Sequence, residues 1–227
     1  MKIALYGDSI GRGVTYDEER GRYVYLKEGF DKLMVENQQI QIENHSRFGA
    51  IAEEGLNDFL KANDTDADVI AIQYGGNDCT PDWKAAAETP EFMHPARVLL
   101  PDFEKILTQF VDAVKKIKKI PLLITPPPLV AERFVPWIST GLDASKILEY
   151  LGDVHHVYRW QEQYALAVHK VGRLTRSKLF DLRAFFLAER DLGSLYCIDG
   201  MHPNQKGHRL IAEAAGKMLP QLMTGPI

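Results

Sequence analysis

Near its start the chain reads Lys2-Ile3-Ala4-Leu5-Tyr6-Gly7-Asp8-Ser9, four apolar residues halted by glycine and two small polar residues. A short apolar run without polar alternation reads as a strand covered on both faces, as in a parallel sheet. The same construction recurs. Ile40–Glu43 runs into Asn44-His45-Ser46-Arg47-Phe48-Gly49, and Val69–Tyr74 into Gly75-Gly76-Asn77-Asp78. Pro121–Thr125 stops at Pro126-Pro127-Pro128, and Lys178–Leu182 is a fifth run. Between them apolar residues recur at three- and four-residue steps, the helical period. Such stripes cover 23–34 (Tyr23, Leu26, Phe30, Leu33, Met34), 51–60, 103–117, 155–171 and 205–222. For the clearest, 103–117, Asp102 after Pro101 is the expected N-cap, and Lys115, Lys116, Lys118 and Lys119 suit the negative end of the helix dipole. Strands alternating with helices predict an α/β protein with a parallel sheet. The stretches 79–101 and 126–154 fit neither period, so they are functional loops or carry short helices of their own.

Composition narrows the partners. The 227 residues hold 27 Lys+Arg against 31 Asp+Glu, a formal net charge of −4, with 45% hydrophobic and 26% charged residues. These are the proportions of an ordinary globular protein, expected here as one domain over 1–227. Disordered chains have fewer aromatics, and dedicated nucleic-acid binders are basic, so no nucleic-acid partner is expected. No stretch of 18 consecutive apolar residues appears, and no membrane span is expected. Asp8 interrupts the N-terminal apolar run too early for a secretory core, which points to a cytoplasmic protein. Two cysteines, Cys79 and Cys197, make no disulfide framework or zinc knuckle and read as packing thiols.

Ligands of an open parallel sheet collect at the carboxyl ends of its strands. Four polar motifs stand on that rim: Gly7-Asp8-Ser9, the loop closing at Gly49, Gly75-Gly76-Asn77-Asp78, and Asp199-Gly200-Met201-His202-Pro203-Asn204 before the last helix. A serine hydrolase needs a hydroxyl on an exposed turn, a base, a group that orients the base, and donors aimed at the oxyanion. Ser9, on a strand-to-helix turn, supplies the hydroxyl. His202 supplies the base, and Asp199, three residues earlier, can reach its Nδ1–H within one turn. The N–H groups of Ser9 and Gly49 and the side-chain amide of Asn77 are the candidate oxyanion donors. At Gly49 a side chain would obstruct the approach of backbone to ligand.

These blocks, in this order along the whole chain, resemble the SGNH hydrolase superfamily, the GDSL-type esterases and lipases. Gly7-Asp8-Ser9-Ile10 is similar to the nucleophile block, with Ile10 where the family usually has Leu. The Asn44–Gly49 block departs from the usual small residues at Ser46-Arg47-Phe48. Gly75-Gly76-Asn77-Asp78 and Asp199-Gly200-Met201-His202-Pro203 match closely. The resemblance implies a three-layer α/β/α sandwich around a five-stranded parallel sheet, flavodoxin-like in outline. It also implies ester hydrolysis through a serine nucleophile on a small-molecule ester, with no metal and no cofactor. Lacking a long apolar lid, the chain leans toward short acyl groups, acetylated carbohydrates among them; lysophospholipid or thioester substrates with longer chains are the alternative.

Other readings compete. A flavodoxin-like binder could hold a nucleotide or phosphate at Gly7-x-x-x-Gly11-x-Gly13, although that spacing matches neither known phosphate-loop pattern. A metal hydrolase could use Asp8, Asp78, Asp199 and His202. Asp8 reads as structural, against the Asn77 loop or a helix end, and Arg47 as a surface salt bridge. Phe134 and Trp137 either wall an acyl pocket or plug an edge. His45, His94, His155, His156, His169 and His208 lack motif company and read as surface or packing residues.

Overall fold

The computed structural model describes residues 1–38, 40–62 and 65–224. In chain order the first elements are β1 (Lys2–Gly7), β2 (Val14–Asp17), β3 (Arg22–Tyr25), α1 (Phe30–Gln38), β4 (Gln41–Asn44) and α2 (Ala52–Ala62). Next come β5 (Val69–Gln73), α3 (Trp83–Glu88), α4 (Leu100–Lys116), β6 (Ile120–Ile124), α5 (Ala131–Ile138) and α6 (Ala144–Leu151). The last are α7 (His156–Thr175), β7 (Lys178–Phe180), α8 (Leu182–Leu187) and α9 (Gln205–Thr224).

Five strands form one parallel sheet in the order β4-β1-β5-β6-β7. Successive side chains on a strand point to opposite faces, so each buried strand serves two cores. Ala4, Tyr6, Ile70, Ile72 and Leu123 face α2, α4 and α7, where Phe103, Leu107, Phe110 and Val114 pack. Ile3, Leu5, Val69, Ala71 and Leu122 face α1, α8 and α9, with Phe30, Phe186, Ile211 and Ala215. This is the three-layer α/β/α sandwich. Burying each large apolar side chain there contributes about 1.5–3 kcal/mol.

The order positions the site. From β1 the chain crosses to β4 on one side and then to β5 on the other, which opens a crevice at the carboxyl ends of β1 and β5. Gly7 pairs with Gln73, so the Ser9 turn and the Asn77 loop leave the sheet at one level. Beyond β4, His45 N–H donates to Leu5 O (2.8 Å) and Arg47 N–H to Gly7 O (3.0 Å). That carries the Gly49 loop alongside the same turn.

Three sequence readings change. The stripe over 23–34 is not one helix: Arg22–Tyr25 pairs antiparallel with Val14–Asp17, and helix α1 starts only at Phe30. Tyr23-Val24-Tyr25 is a β-favouring run, and pairing overrode its accidental helical spacing. The turn carrying Ser9 therefore leads into a hairpin, not into a helix. Asp102 is not the cap of α4, whose N-cap is Leu99. Proline is tolerated in a first helical turn, so the helix begins ahead of Pro101 and Asp102 faces the positive end of its dipole from inside. The stretches 79–101 and 126–154, by contrast, carry short helices of their own as expected, α3, α5 and α6, whose residues Ala86, Phe134, Val135 and Ile147 pack in a third apolar cluster above the rim. Among the described residues no helix is long and apolar enough to cross a membrane.

Candidate active site

After β1 the chain turns tightly, and its N–H groups are almost all used inside the protein. Ile10 N–H donates to Asp8 Oδ1 (2.9 Å) and Gly11 N–H to Gln73 Oε1 (3.1 Å). Arg12, Gly13 and Val14 N–H donate to the carbonyls of Asp8, Ile10 and Ser9. The Gly7–Gly13 turn thus has no open row of donors for a phosphate. Among the described residues, the N–H of Ser9 donates to no protein acceptor, and neither does that of Gly49.

The His202 loop is built from its own sequence. Cys197 N–H donates to His202 O (2.9 Å), closing the loop before Asn204, whose Oδ1 caps α9 through the N–H groups of Lys206 (2.9 Å) and Gly207 (3.2 Å). Gly200 has φ +68, and a Cβ there would lie 2.5 Å from Val130 O, so glycine lets the loop pass against α5. Asp199 Oδ1 accepts from Met201 N–H and His202 N–H, both at 3.0 Å. This tight turn brings Asp199 Oδ2 to 2.6 Å from His202 Nδ1. On the ring's other side, Nε2 lies 2.9 Å from Ser9 Oγ. A carboxylate only accepts, so Nδ1 carries the proton and Nε2 is left to accept from the Ser9 hydroxyl. Burial pushes the Asp199 carboxyl up, but the hydrogen bond and charge of His202 and two backbone donors outweigh it and hold it below its ordinary value.

Asn77 Nδ2 donates to Ala50 O (3.1 Å), leaving one of its two amide hydrogens for a ligand. Its backbone carbonyl accepts from the Thr80 hydroxyl (2.8 Å). Gly49 has φ +73, and a Cβ there would meet nothing within 4 Å. Its left-handed backbone favours glycine, and the space beside it is open to a ligand. Asp78, fully buried, accepts from Ala52 N–H (2.8 Å) and Gly75 N–H (2.9 Å). Burial pushes its carboxyl up to about 7, with the neighbouring Asp8 raising it further against its backbone donors. Asp8 is itself pushed up to about 6 by burial. Its Oδ2 lies close against Gly76, on the Asn77 loop. Asp8, Asp78 and Asp199 thus serve separate backbone groups, and no cluster of three or more His, Cys, Asp or Glu residues suited to a metal occurs among the described residues.

Two contrasting surfaces flank Ser9. On the Asn77 side a pocket of about 30 Å³, room for one or two water-sized groups, is lined by Trp83, Leu129, Phe134, Val157, Trp160 and Met201. On the His202 side stand aromatic rings. Phe48, half exposed, stacks parallel to His202 at 6.0 Å; Tyr23 lies 4.8 Å from the same ring, and Trp137 lies 6.3 Å from Tyr23. Phe134 therefore walls the small pocket, whereas Trp137 belongs to the opposite side.

The remaining expectations divide. Arg47 pairs with Asp58 at 2.9 Å on the surface. His45 pairs with Glu43 (2.9 Å) and His169 with Asp181 (3.4 Å). His208 is fully buried, stacked on Phe30. Cys79 and Cys197 are buried free thiols, the first lining the small pocket. Tyr23, Phe48 and the bracing role of Asp78 escaped the sequence reading. For Tyr23 there was a signal: Val14-Thr15-Tyr16 and Tyr23-Val24-Tyr25 flank a polar turn ending in Gly21, which is a hairpin pattern.

Solved structures share this fold. A lipase/acylhydrolase from Enterococcus faecalis superposes with TM-score 0.67 at 19% identity, over 97% of this chain and 95% of the other. An acetyl-xylooligosaccharide esterase from Geobacillus stearothermophilus gives 0.64 at 22% identity, over 100% and 95%. A member of the lipolytic G-D-S-L family from Veillonella parvula gives 0.65 at 15% identity, over 97% and 99%. Among curated protein sequences no relative matches. A family model described as GDSL-like lipase/acylhydrolase matches residues 5–210, nearly the whole span from β1 into α9, and the chain belongs to that family of carboxylic ester hydrolases.

Proposed function

We propose that the protein hydrolyses short-acyl carboxylic esters, acetyl esters of carbohydrates or similar small alcohols, through a Ser9–His202–Asp199 triad. The observation that carries the proposal is the unbroken hydrogen-bond chain from Ser9 Oγ through both nitrogens of His202 to Asp199. In the first half, Ser9 Oγ bonds to the ester carbonyl carbon while His202 Nε2 takes its proton. The oxyanion meets the N–H groups of Ser9 and Gly49 and the spare amide hydrogen of Asn77. The carbon–alkoxy bond then breaks, and Nε2 returns the proton to the departing alcohol. In the second half, water bonds to the acyl carbon and gives a proton to Nε2; the acyl carbon–Oγ bond then breaks, Nε2 returns the proton to Ser9 Oγ, and the carboxylic acid departs.

The two surfaces support the short-acyl reading. The alcohol must leave beside His202, so the acyl group is assigned to the pocket beside Asn77. With about 30 Å³ bounded by Trp83, Phe134 and Trp160, that pocket suits acetyl and little more. The rings of Tyr23, Phe48 and Trp137 offer the alcohol side flat apolar faces of the kind that pack on sugar rings. A fold neighbour being an acetyl-xylooligosaccharide esterase is in keeping with this. The test is a panel of 4-nitrophenyl esters from acetyl to palmitoyl. Acetyl should be turned over fastest, with a steep fall past butyryl. A rate that climbs with chain length contradicts the short-acyl assignment.

A further inference from the structure

The Tyr23 hydroxyl donates to Asp199 Oδ2 at 3.1 Å, the same oxygen that faces His202 Nδ1 at 2.6 Å. Tyr23 belongs to none of the four rim motifs and sits 176 positions from Asp199. It arrives on the β2–β3 hairpin, which is fastened to both halves of the site. On the nucleophile side, Val14 N–H donates to Ser9 O (2.9 Å) and Leu26 N–H to Gly13 O (2.8 Å). On the base side, Tyr16 N–H donates to Cys197 Sγ (3.3 Å), and the Thr15 hydroxyl lies 3.1 Å from the same sulfur.

We propose that Tyr23 is a positioning residue for the His202–Asp199 pair, and that the β2–β3 hairpin is the strap that holds Ser9 in register with His202. This rests on the roles assigned above to Ser9, His202 and Asp199. The carboxylate's donors are fully distributed: Met201 and His202 N–H on Oδ1, His202 Nδ1–H and the Tyr23 hydroxyl on Oδ2. Two donors per oxygen fix the plane of the carboxylate and hence the aim of the imidazole. The Tyr23 hydroxyl also draws negative charge from the oxygen that faces His202. Without it, that oxygen binds a protonated imidazole more strongly, and the base stays blocked to higher pH. Burial and the charge of Asp199 both raise the Tyr23 phenol above its ordinary range, so it remains a donor throughout the working pH range.

The surrounding titratable groups leave this assignment intact. Burial raises the Cys197 thiol above its ordinary value, which keeps it neutral. Asp8 on the nucleophile turn and His208 on α9 come within charge range of His202, and neither is hydrogen-bonded to Asp199.

Hydroxyl and ring can be tested apart, because Tyr23→Phe keeps the ring against His202 and Phe48 and deletes only the donor. The experiment is the pH profile of kcat and KM on 4-nitrophenyl acetate for the wild type, Tyr23→Phe, Cys197→Ala and Asp199→Asn, with melting curves to confirm folding. Tyr23→Phe should lower kcat about tenfold, the order of one hydrogen bond to a charged group, with KM nearly unchanged. Its acid limb should move to higher pH. Cys197→Ala loosens the strap and should lower kcat severalfold without moving the limb. A Tyr23→Phe enzyme with wild-type kcat and acid limb, beside a crippled Asp199→Asn, overturns the role of Tyr23 alone. Wild-type turnover in Asp199→Asn overturns the triad reading itself.

Discussion

Asp78 Oδ1 accepts the N–H of Ala52 at 2.8 Å, and this bond ties the loop bearing Asn77 to the loop bearing Gly49. Its other oxygen holds Gly75 N–H at 2.9 Å, so one buried carboxylate braces both candidate donors at once. Asp78→Ala should leave two buried N–H groups without acceptors, at about 1–3 kcal/mol each. A lowered urea midpoint and a kcat reduced by more than tenfold, in a chain that still folds, are the expected results. Unchanged turnover would separate Asp78 from the oxyanion geometry.

Asn77→Ala removes a side-chain donor while its backbone carbonyl keeps the Thr80 hydroxyl. If Asn77 is an oxyanion donor as proposed, turnover should fall by about 10²–10³ with little change in KM. Steady-state kinetics on the acetyl ester measures this directly.

Trp83 bounds the small pocket from α3. If the pocket takes the acyl group as proposed, Trp83→Ala should enlarge it and raise the ratio of hexanoyl to acetyl turnover at least tenfold, the discrimination expected of a few methylenes at about 1–3 kcal/mol each. The 4-nitrophenyl ester panel reads the ratio.

His208 gives stability a pH dependence unrelated to catalysis. Burial pushes its imidazole down to about 4 from 6.5, so the folded state binds fewer protons than the unfolded state between those values. Its contribution is therefore present above pH 6.5 and lost as the pH falls toward 4, amounting to about 3 kcal/mol at most. Asp78 and Asp8, raised to about 7 and about 6, have the opposite sign: their contributions are lost as the pH rises through those values. The windows overlap between about pH 4 and 7, where His208 offsets part of the loss from the two carboxylates. His208→Phe, which keeps the stacking on Phe30, should therefore steepen the fall of melting temperature as the pH rises from 4 to 6.5.

Residue by residue, legibility followed the range of the interaction. The meeting of the candidates Ser9, Asn77, Asp199 and His202 on one rim was readable because each sits in a short motif at a strand end, and the 199–202 turn is local enough for spacing alone to imply the Asp–His contact. Ile3–Tyr6 and Val69–Tyr74 were readable because strands buried on both faces have no other pattern. Tyr23 was hidden by a five-residue coincidence with helical period and by its distance from Asp199 along the chain. The small pocket was hidden because Trp83, Phe134 and Trp160 come from three helices whose meeting depends on tertiary packing. Asp102 was misplaced because a proline at a helix start is as compatible with the first turn as with the residue before it.

The central claim is that Ser9 is the nucleophile activated by His202. Its most direct measurement is covalent trapping: incubate the protein with a fluorophosphonate and locate the adduct by intact-protein and peptide mass spectrometry while following ester hydrolysis. The expected result is one adduct on Ser9, formed in step with loss of activity, absent in Ser9→Ala and greatly slowed in His202→Ala. Inactivation with the adduct on another residue, or full turnover by Ser9→Ala, would contradict the triad.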